Sequence, residues 1–148
     1  MHYYDPTDLI YANILDRITK EKRSEIMSKV RSKNTSPEIA VRKLIFSLGY
    51  RYRLHAKSLP GRPDLVFPGR KKVIFVHGCF WHGHDCKRGS APVTNKEFWL
   101  PKLEKNKVRD TETFDRLVSM GWKVLVIWQC RLKDKDALKT KIINFLDT

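Results

Sequence analysis

The spacing of apolar positions along the chain changes from helical to extended and back, and the changes mark its elements. After Thr7, the residues Ile10, Ile14 and Ile18 recur one turn apart, which predicts a short helix capped by that threonine. Residues 20–35 are basic and polar, with Ile26, Met27 and Val30 as their only apolar members, and read as an arm containing a short helix. Ser36-Pro37-Glu38 opens a helix with a capping serine, a proline at the first position and an acid near the positive end of the dipole. Ile39, Leu44 and Leu48 should bury one side of it, and Gly49 should close it. Tyr50–His55 alternates like a strand, and Pro60-Gly61 marks a turn. Asp64–Phe67 and Val73–Val76 are short apolar runs joined at Pro68-Gly69, which predicts a buried hairpin. Thr94 and Glu97 have capping-box spacing and begin a long helix that ends at Gly121. Trp122–Trp128 reads as a central strand and Asp134–Leu146 as a final amphipathic helix. Helix, three strands, helix, strand, helix is the order of an α/β layered domain.

A length of 148 residues, 41% hydrophobic, fits one domain with a real core. Charge narrows the partner. The chain has 30 Lys+Arg against 16 Asp+Glu, a net +14, and a surplus of this size points to a polyanion. A membrane-surface role would need a basic helix with a cleaner apolar face. No stretch reads as a signal peptide and no apolar run is long enough to span a bilayer, so the expected setting is the cytosol.

Cysteine usage adds the first chemistry. Cys79, Cys86 and Cys130 are the only cysteines, and an odd number argues against a disulfide framework. With His84 they form Cys79-x4-His84-x-Cys86 plus Cys130, the ligand set of a closed tetrahedral structural zinc. The stretch from His77 to Cys86 also holds Phe80, Trp81 and His82, more rings and histidines than a metal site needs. A segment tied down by zinc can hold rings for stacking on bases and titratable groups for work on a phosphodiester. Ordinary core packing is the competing reading for the two aromatics.

Asp64 follows the turn Leu59–Pro63 and starts a strand, where a carboxylate can leave the sheet edge and bind Mg2+. A turn-capping aspartate is the plainer alternative. An aspartate at a strand start followed by a second strand resembles the nuclease core in which that second strand carries acid-x-Lys; here it ends Phe75-Val76-His77, with phenylalanine for the acid and histidine for the lysine, so Asp64 is the one obvious carboxylate ligand. The cation would then also need a backbone carbonyl, phosphate oxygens and waters. Lys102, Lys105, Asn106 and Arg109 share one face of the long helix. Such a face is solvated by default, and in a chain of charge +14 it is expected to face DNA.

Leu59-Pro-Gly-Arg-Pro-Asp-Leu-Val-Phe67, Val73-Ile-Phe-Val-His-Gly-Cys-Phe-Trp-His-Gly-His-Asp-Cys86, Thr94-x2-Glu-Phe-Trp-Leu100, Lys102-x2-Lys-Asn-x2-Arg-Asp110 and Gly121-Trp-x-Val-Leu-Val-x-Trp-x-Cys130 together resemble the very short patch repair (Vsr) endonucleases, in order and register from about residue 23 to about residue 146. The resemblance implies a restriction-endonuclease-like α/β core: a central mixed sheet flanked by helices, with a structural zinc site. It implies an endonuclease domain at 23–148 and an extension at 1–22. The implied activity is Mg2+-dependent nicking of one strand beside the thymine of a T:G mispair, the product of 5-methylcytosine deamination. By position, Asp64 matches the family's metal-binding catalytic aspartate and the Val76 carbonyl a backbone ligand, Val76 standing where a related form has threonine. His82 matches the histidine that activates water, His77 a second active-site histidine and Glu38 an acid from the first helix, where favouring the helix dipole is the rival explanation. Met27, Phe80, Trp81 and Trp99 match apolar wedges, and Lys102 and Asn106 match positions facing the recognition sequence. Implied partners are mismatched double-stranded DNA, a cytosine-5 DNA methyltransferase and mismatch-repair proteins. The implied setting is a monomer on the nucleoid in bacterial cytoplasm. Two other classes compete: a catalytically inactive zinc DNA-binding module, against which Asp64, His77 and His82 argue, and a restriction- or defence-type nickase with no mismatch requirement.

Overall fold

A computed structural model describes residues 17–28, 33–90 and 95–148, so the expected Thr7 helix and the Thr94 cap lie outside the described residues. Helix α1 (Lys20–Ser28) falls within the basic stretch, and Thr19 Oγ1 accepts the Lys22 N–H. It crosses the expected boundary at residue 22. Met27 is in its last turn, with a side chain outside the described residues.

Helix α2 (Ser36–Ser47) has Pro37 in its first turn, and its cap is Thr35 rather than the expected Ser36, which is already the first helical residue; the Thr35 side chain accepts the Glu38 N–H. Val41 and Ile45 are fully buried, with Leu44 and Leu48 packed beside them. The expectation that Ile39 is buried is corrected: it is 37% exposed. At about 100° per residue, Ile39 stands some 200° from Val41, on the far side of the helix. Gly49, at φ +95°, closes α2.

Strands β1 (Arg53–Leu54), β2 (Leu65–Phe67), β3 (Lys72–His77) and β4 (Lys123–Trp128) form a four-stranded mixed sheet in the order β1-β2-β3-β4. The first two pairings are antiparallel and β3–β4 is parallel. The expected Tyr50–His55 strand shrinks to two exposed residues, because His55 adopts a left-handed φ of 45° that ends the ladder. Pro68–Arg70 makes the expected β2–β3 turn. Trp122–Trp128, expected in the centre, gives the edge strand among the described residues, and only its Ile127 is buried. The central apolar run is β3, lined on both sides by strands.

Alternation along the strands builds two core layers. Leu65, Phe67 and Ile74 face α2 and the last helix, α4 (Lys135–Asp147), through Val41, Ile45, Leu138, Ile142 and Leu146. Val66, Val73 and Phe75 face the crossover helix α3 (Lys96–Ser119) through Leu117 and Phe114. Each such aliphatic side chain contributes about 1.5–3 kcal/mol by leaving water. Lys72 Nζ and Arg70 Nη1 donate to the Leu146 carbonyl, so two cations from the β2–β3 region cap the C-terminus of α4. The result is a sheet with helices on both faces. Because β2 runs antiparallel to β3, Asp64 just before β2 lies at the same sheet end as Val76 and His77 closing β3.

Candidate active site

That sheet end carries two clusters of side chains opening onto one cavity of about 420 Å³. In the first, Asp64 Oδ2 accepts the Val76 N–H at 2.7 Å, and Oδ1 lies 3.8 Å from His55 Nε2. Burial pushes the Asp64 carboxyl up to about 7, with the Glu38 charge adding to the rise and the Val76 hydrogen bond opposing it. Glu38 is buried, and its Oε2 accepts from the Asn34 N–H at 2.9 Å and Arg42 Nη2 at 2.9 Å, with His55 Nε2 at 3.3 Å. A buried carboxylate with this many partners is more than a helix-dipole residue.

In the second cluster, His82 Nδ1 meets Asp110 Oδ2 at 2.5 Å. Burial opposes the Asp110 charge, but the His82 hydrogen bond and the cations around it win and hold the carboxyl below its ordinary value. An ionised carboxylate only accepts, so His82 Nδ1 donates in this contact and Nε2 is the nitrogen turned away from it. The His77 ring stacks on His82 at 3.6 Å and 6°. Burial, with His82 alongside, pushes His77 down to about 3, so it stays neutral at working pH, and its Nδ1 has no partner among the described residues. Lys33, Lys57, Arg62 and Arg109 give the cavity a cationic rim. Gly61 lets the turn approach α3: at φ +72°, a Cβ there would sit 2.4 Å from Thr113 Cγ2.

Beside this cavity, Cys79, His84, Cys86 and Cys130 converge, each offering a ligand atom within 4.8 Å of the others, a set that could hold a metal ion. Burial pushes the Cys79 thiol up to about 12. A buried thiol so reluctant to ionise gains most from a cation that takes its proton's place, and the donor set therefore fits a thiophilic metal. His84 stacks on Trp128 at 4.0 Å and 11°, which fixes its ring.

Glu38, Asp64, Val76, His77, His82 and Arg109 thus line one cavity. Phe80 and Trp99 do not present free rings: both are fully buried, edge to face at 5.2 Å. The cysteine-bearing loop folds back over the start of α3, and these rings fill the space between. Trp81 stays half-buried against them. The helix face expected to look outward is divided. Lys105 is exposed, but Asn106 Nδ2 donates to the Trp81 carbonyl at 2.9 Å and Lys102 Nζ stands 5.2 Å over the Trp81 ring. Three site residues escape the sequence reading. Arg42 was legible as the i+4 partner of Glu38, and Asp110 as the acid one turn beyond Asn106. His55 carries no sequence signal, since only the turn of the chain after β1 brings it to Glu38.

A mixed sheet between helices, a half-buried carboxylate at its end and a histidine–carboxylate pair across a cation-rimmed cavity fit the class of nucleases that cleave a phosphodiester with a divalent cation. The family described as DNA mismatch endonuclease Vsr matches residues 15–88. The type II nicking enzyme V.XorIIP of Xanthomonas oryzae is 53% identical over 132 residues, 89% of this chain and 97% of that protein. V.NmeAIP of Neisseria meningitidis, also a type II nicking enzyme, is 45% identical over 127 residues, 86% of this chain and 91% of that protein. The DNA mismatch endonuclease Vsr of Escherichia coli is 39% identical over 133 residues, 90% of this chain and 83% of that protein. The chain belongs to the Vsr family of DNA mismatch endonucleases and has the restriction-endonuclease-like fold that its motifs imply.

Proposed function

We propose that this endonuclease nicks one strand beside the thymine of a T:G mispair in double-stranded DNA. The observation that carries the chemistry is that half-buried Asp64 and the His82–Asp110 pair line one cation-rimmed cavity. Asp64 and the Val76 carbonyl would hold Mg2+, which would neutralise charge on the attacked phosphate and acidify the attacking water. The donor chemistry fits a hard cation: Asp64 is a carboxylate, and a strand residue's N–H and C=O point to the same edge, so the Val76 carbonyl looks the way its Asp64-bound amide does. His82 accepts the water's proton at Nε2 while Asp110 holds the opposite nitrogen and favours the imidazolium that forms. His77, neutral and stacked on His82, fixes the plane of that ring. Glu38, held by Arg42, keeps a second carboxylate beside Asp64. Lys57, Arg62 and Arg109 receive the phosphates around the scissile bond. Cys79, His84, Cys86 and Cys130 would hold Zn2+, which ties the Phe80–Asp85 loop to the end of β4.

Trp81 is the proposed wedge, entering a stack that a mispair makes easier to open. Met27, Phe80 and Trp99 stand with it in this role, Phe80 and Trp99 chiefly as its backing, and Lys102 and Lys105 as the cations beside it. On this reading the endonuclease domain is 23–148, one monomer makes one nick on an asymmetric lesion, and a cytosine-5 methyltransferase shares the site in the bacterial cytoplasm. A nickase of paired DNA is the second reading, favoured by the full burial of Phe80 and Trp99, which leaves fewer free rings to insert. Mg2+-dependent nicking of matched and T:G duplexes with identical flanks separates them: strong preference for T:G is expected, and equal rates would install the second reading.

A further inference from the structure

Strand β1 stops one residue short of the site. Its register with β2 runs Arg53 to Val66 and Leu54 to Leu65, so the next rung would set His55 opposite Asp64. Directly opposed residues of an antiparallel pair project from the same face. At His55 the chain leaves the ladder through a left-handed φ of 45°, which is unfavourable for a residue with a Cβ. The ring ends between the sheet and α2. Its Nε2 stands 3.3 Å from Glu38 Oε2, 3.3 Å from Arg42 Nη2 and 3.8 Å from Asp64 Oδ1. Asn34 and Arg42 hold the Glu38 carboxylate from its own helix and the turn before it, and His55 holds it from the sheet. Asp64 Oδ2 accepts the Val76 N–H, so Oδ1 is the oxygen that faces His55. At 3.8 Å the ring stands beside that oxygen without a hydrogen bond to it. Glu38, His55 and Asp64 each offer a ligand atom within 4.8 Å of the others.

We propose that His55 is a positioning residue that holds the Glu38 carboxylate, borne on α2, at the Asp64 end of the sheet, so that the two carboxylates face one cation site. The ring can act as donor to Glu38 or as acceptor from Arg42, and either role ties the Glu38–Arg42 pair to the sheet. Without it, Glu38 keeps only the partners of its own helix and is free to draw back from Asp64. The proposal rests on the reading of Asp64 as the Mg2+ ligand. It explains why a histidine stands at a left-handed position in the middle of the site, where glycine would be conformationally easier. Losing a partner that orients metal ligands weakens metal affinity by about 10–100-fold.

Two substitutions separate the ring from its backbone. His55→Gly suits the left-handed φ and removes the ring. His55→Gln keeps a terminal amide that can donate to Glu38 or accept from Arg42. Mn2+, a cation that also prefers oxygen ligands, is titrated into the purified full chain, and the paramagnetic resonance signal of free Mn2+ reads its Kd, with Asp64→Asn defining the background. Single-turnover nicking of a T:G duplex across Mg2+ concentrations is the second readout, and anisotropy without added divalent cation reads duplex Kd. His55→Gly should weaken Mn2+ binding about 10-fold or more and raise the half-saturating Mg2+ in step, with duplex Kd within about threefold of wild type. His55→Gln should bring both metal readouts back to within about threefold of wild type. In a Glu38→Gln background, His55→Gly should add less than about a twofold loss, because it acts through that carboxylate. Wild-type Mn2+ affinity in His55→Gly would overturn the proposal. So would His55→Gln binding as weakly as His55→Gly, additive losses in the double variant, or unfolding of His55→Gly, which would assign the ring to the fold alone. Failure of the underlying reading looks different: wild type and Asp64→Asn would then bind Mn2+ alike.

Discussion

Asp64 combines two properties that oppose each other in the protein without a cation. Its carboxyl is pushed up to about 7 because it is buried, against an ordinary value of 3.8. A raised carboxyl pKa means the native state binds a proton that the unfolded chain has released. The group therefore favours folding most below pH 4, and that contribution is lost as pH rises through 7. Above pH 7 the native protein holds a buried charge that only a cation or phosphate-bound metal would offset. Asp64→Asn should remove that charge. Nicking should be abolished, T:G duplex binding should persist, and in buffer without added divalent cation the variant should melt higher than wild type at pH 8 by several degrees, at about 2–4 °C per kcal/mol. The gap should close toward pH 4, where the native carboxyl is protonated. A variant that melts lower than wild type at pH 8 would mean Asp64 is a structural cap. The cysteine set was legible because cysteine is rare here and regularly spaced, whereas Asp64 and His82 were read from their positions in the motifs that carry the family resemblance. His55 was not, because its place beside Glu38 and Asp64 depends on a backbone turn at φ 45°.

At the scale of elements, the site depends on how closely the Leu59–Pro63 turn approaches α3. Gly61 permits that approach, with Thr113 Cγ2 and the Phe75 ring against it. Gly61→Ala would bring a Cβ to 2.4 Å from Thr113 at a φ of +72° that alanine disfavours. The turn must then lift from the helix and carry Asp64 away from its Val76 hydrogen bond. The expected loss is about 1–3 kcal/mol in thermal or urea melts, with a fall in nicking rate larger than any change in DNA affinity. Unchanged stability would show that the turn is free to move without cost. The elements themselves were largely readable: the Ser36-Pro37 helix start, the Pro68-Gly69 hairpin and the long helix all have local signals. The edge position of β4 and the burial of Phe80 and Trp99 were not, because both follow from how the crossover and the cysteine-bearing loop pack on α3, which no local pattern encodes. Asn106 shows the same limit, as a residue on a basic helix face whose amide donates to the Trp81 carbonyl.

The cysteine set joins parts of the molecule far apart in sequence, the loop after β3 and the segment after β4. Metal binding at such a set is coupled to folding, because the thiolates gain a shared partner only when the sheet brings them together. Cys130→Ser should therefore lower soluble yield and cooperative melting, with about one zinc lost per chain by metal analysis, rather than slow the enzyme alone. Active protein that purifies without zinc would contradict this.

A net charge of +14 draws any DNA to the protein, so discrimination has to come from groups indifferent to phosphate. Trp81 and Arg109 represent the two kinds. Trp81→Ala should weaken binding to T:G DNA more than to matched DNA and leave the salt dependence nearly unchanged, since no ion pair is lost. Arg109, exposed on the cavity rim, should behave in the opposite way when replaced by alanine: a similar loss on both duplexes and a salt slope smaller by about one. Titrations of both variants on both duplexes at several salt concentrations measure the two effects independently. The comparison is informative because the two side chains belong to one surface yet respond to different features of DNA, the strength of stacking for one and the density of charge for the other. Equal losses on both duplexes for Trp81→Ala would remove the wedge from the account, and a nickase of paired DNA on the same core would then be the better description of the whole molecule.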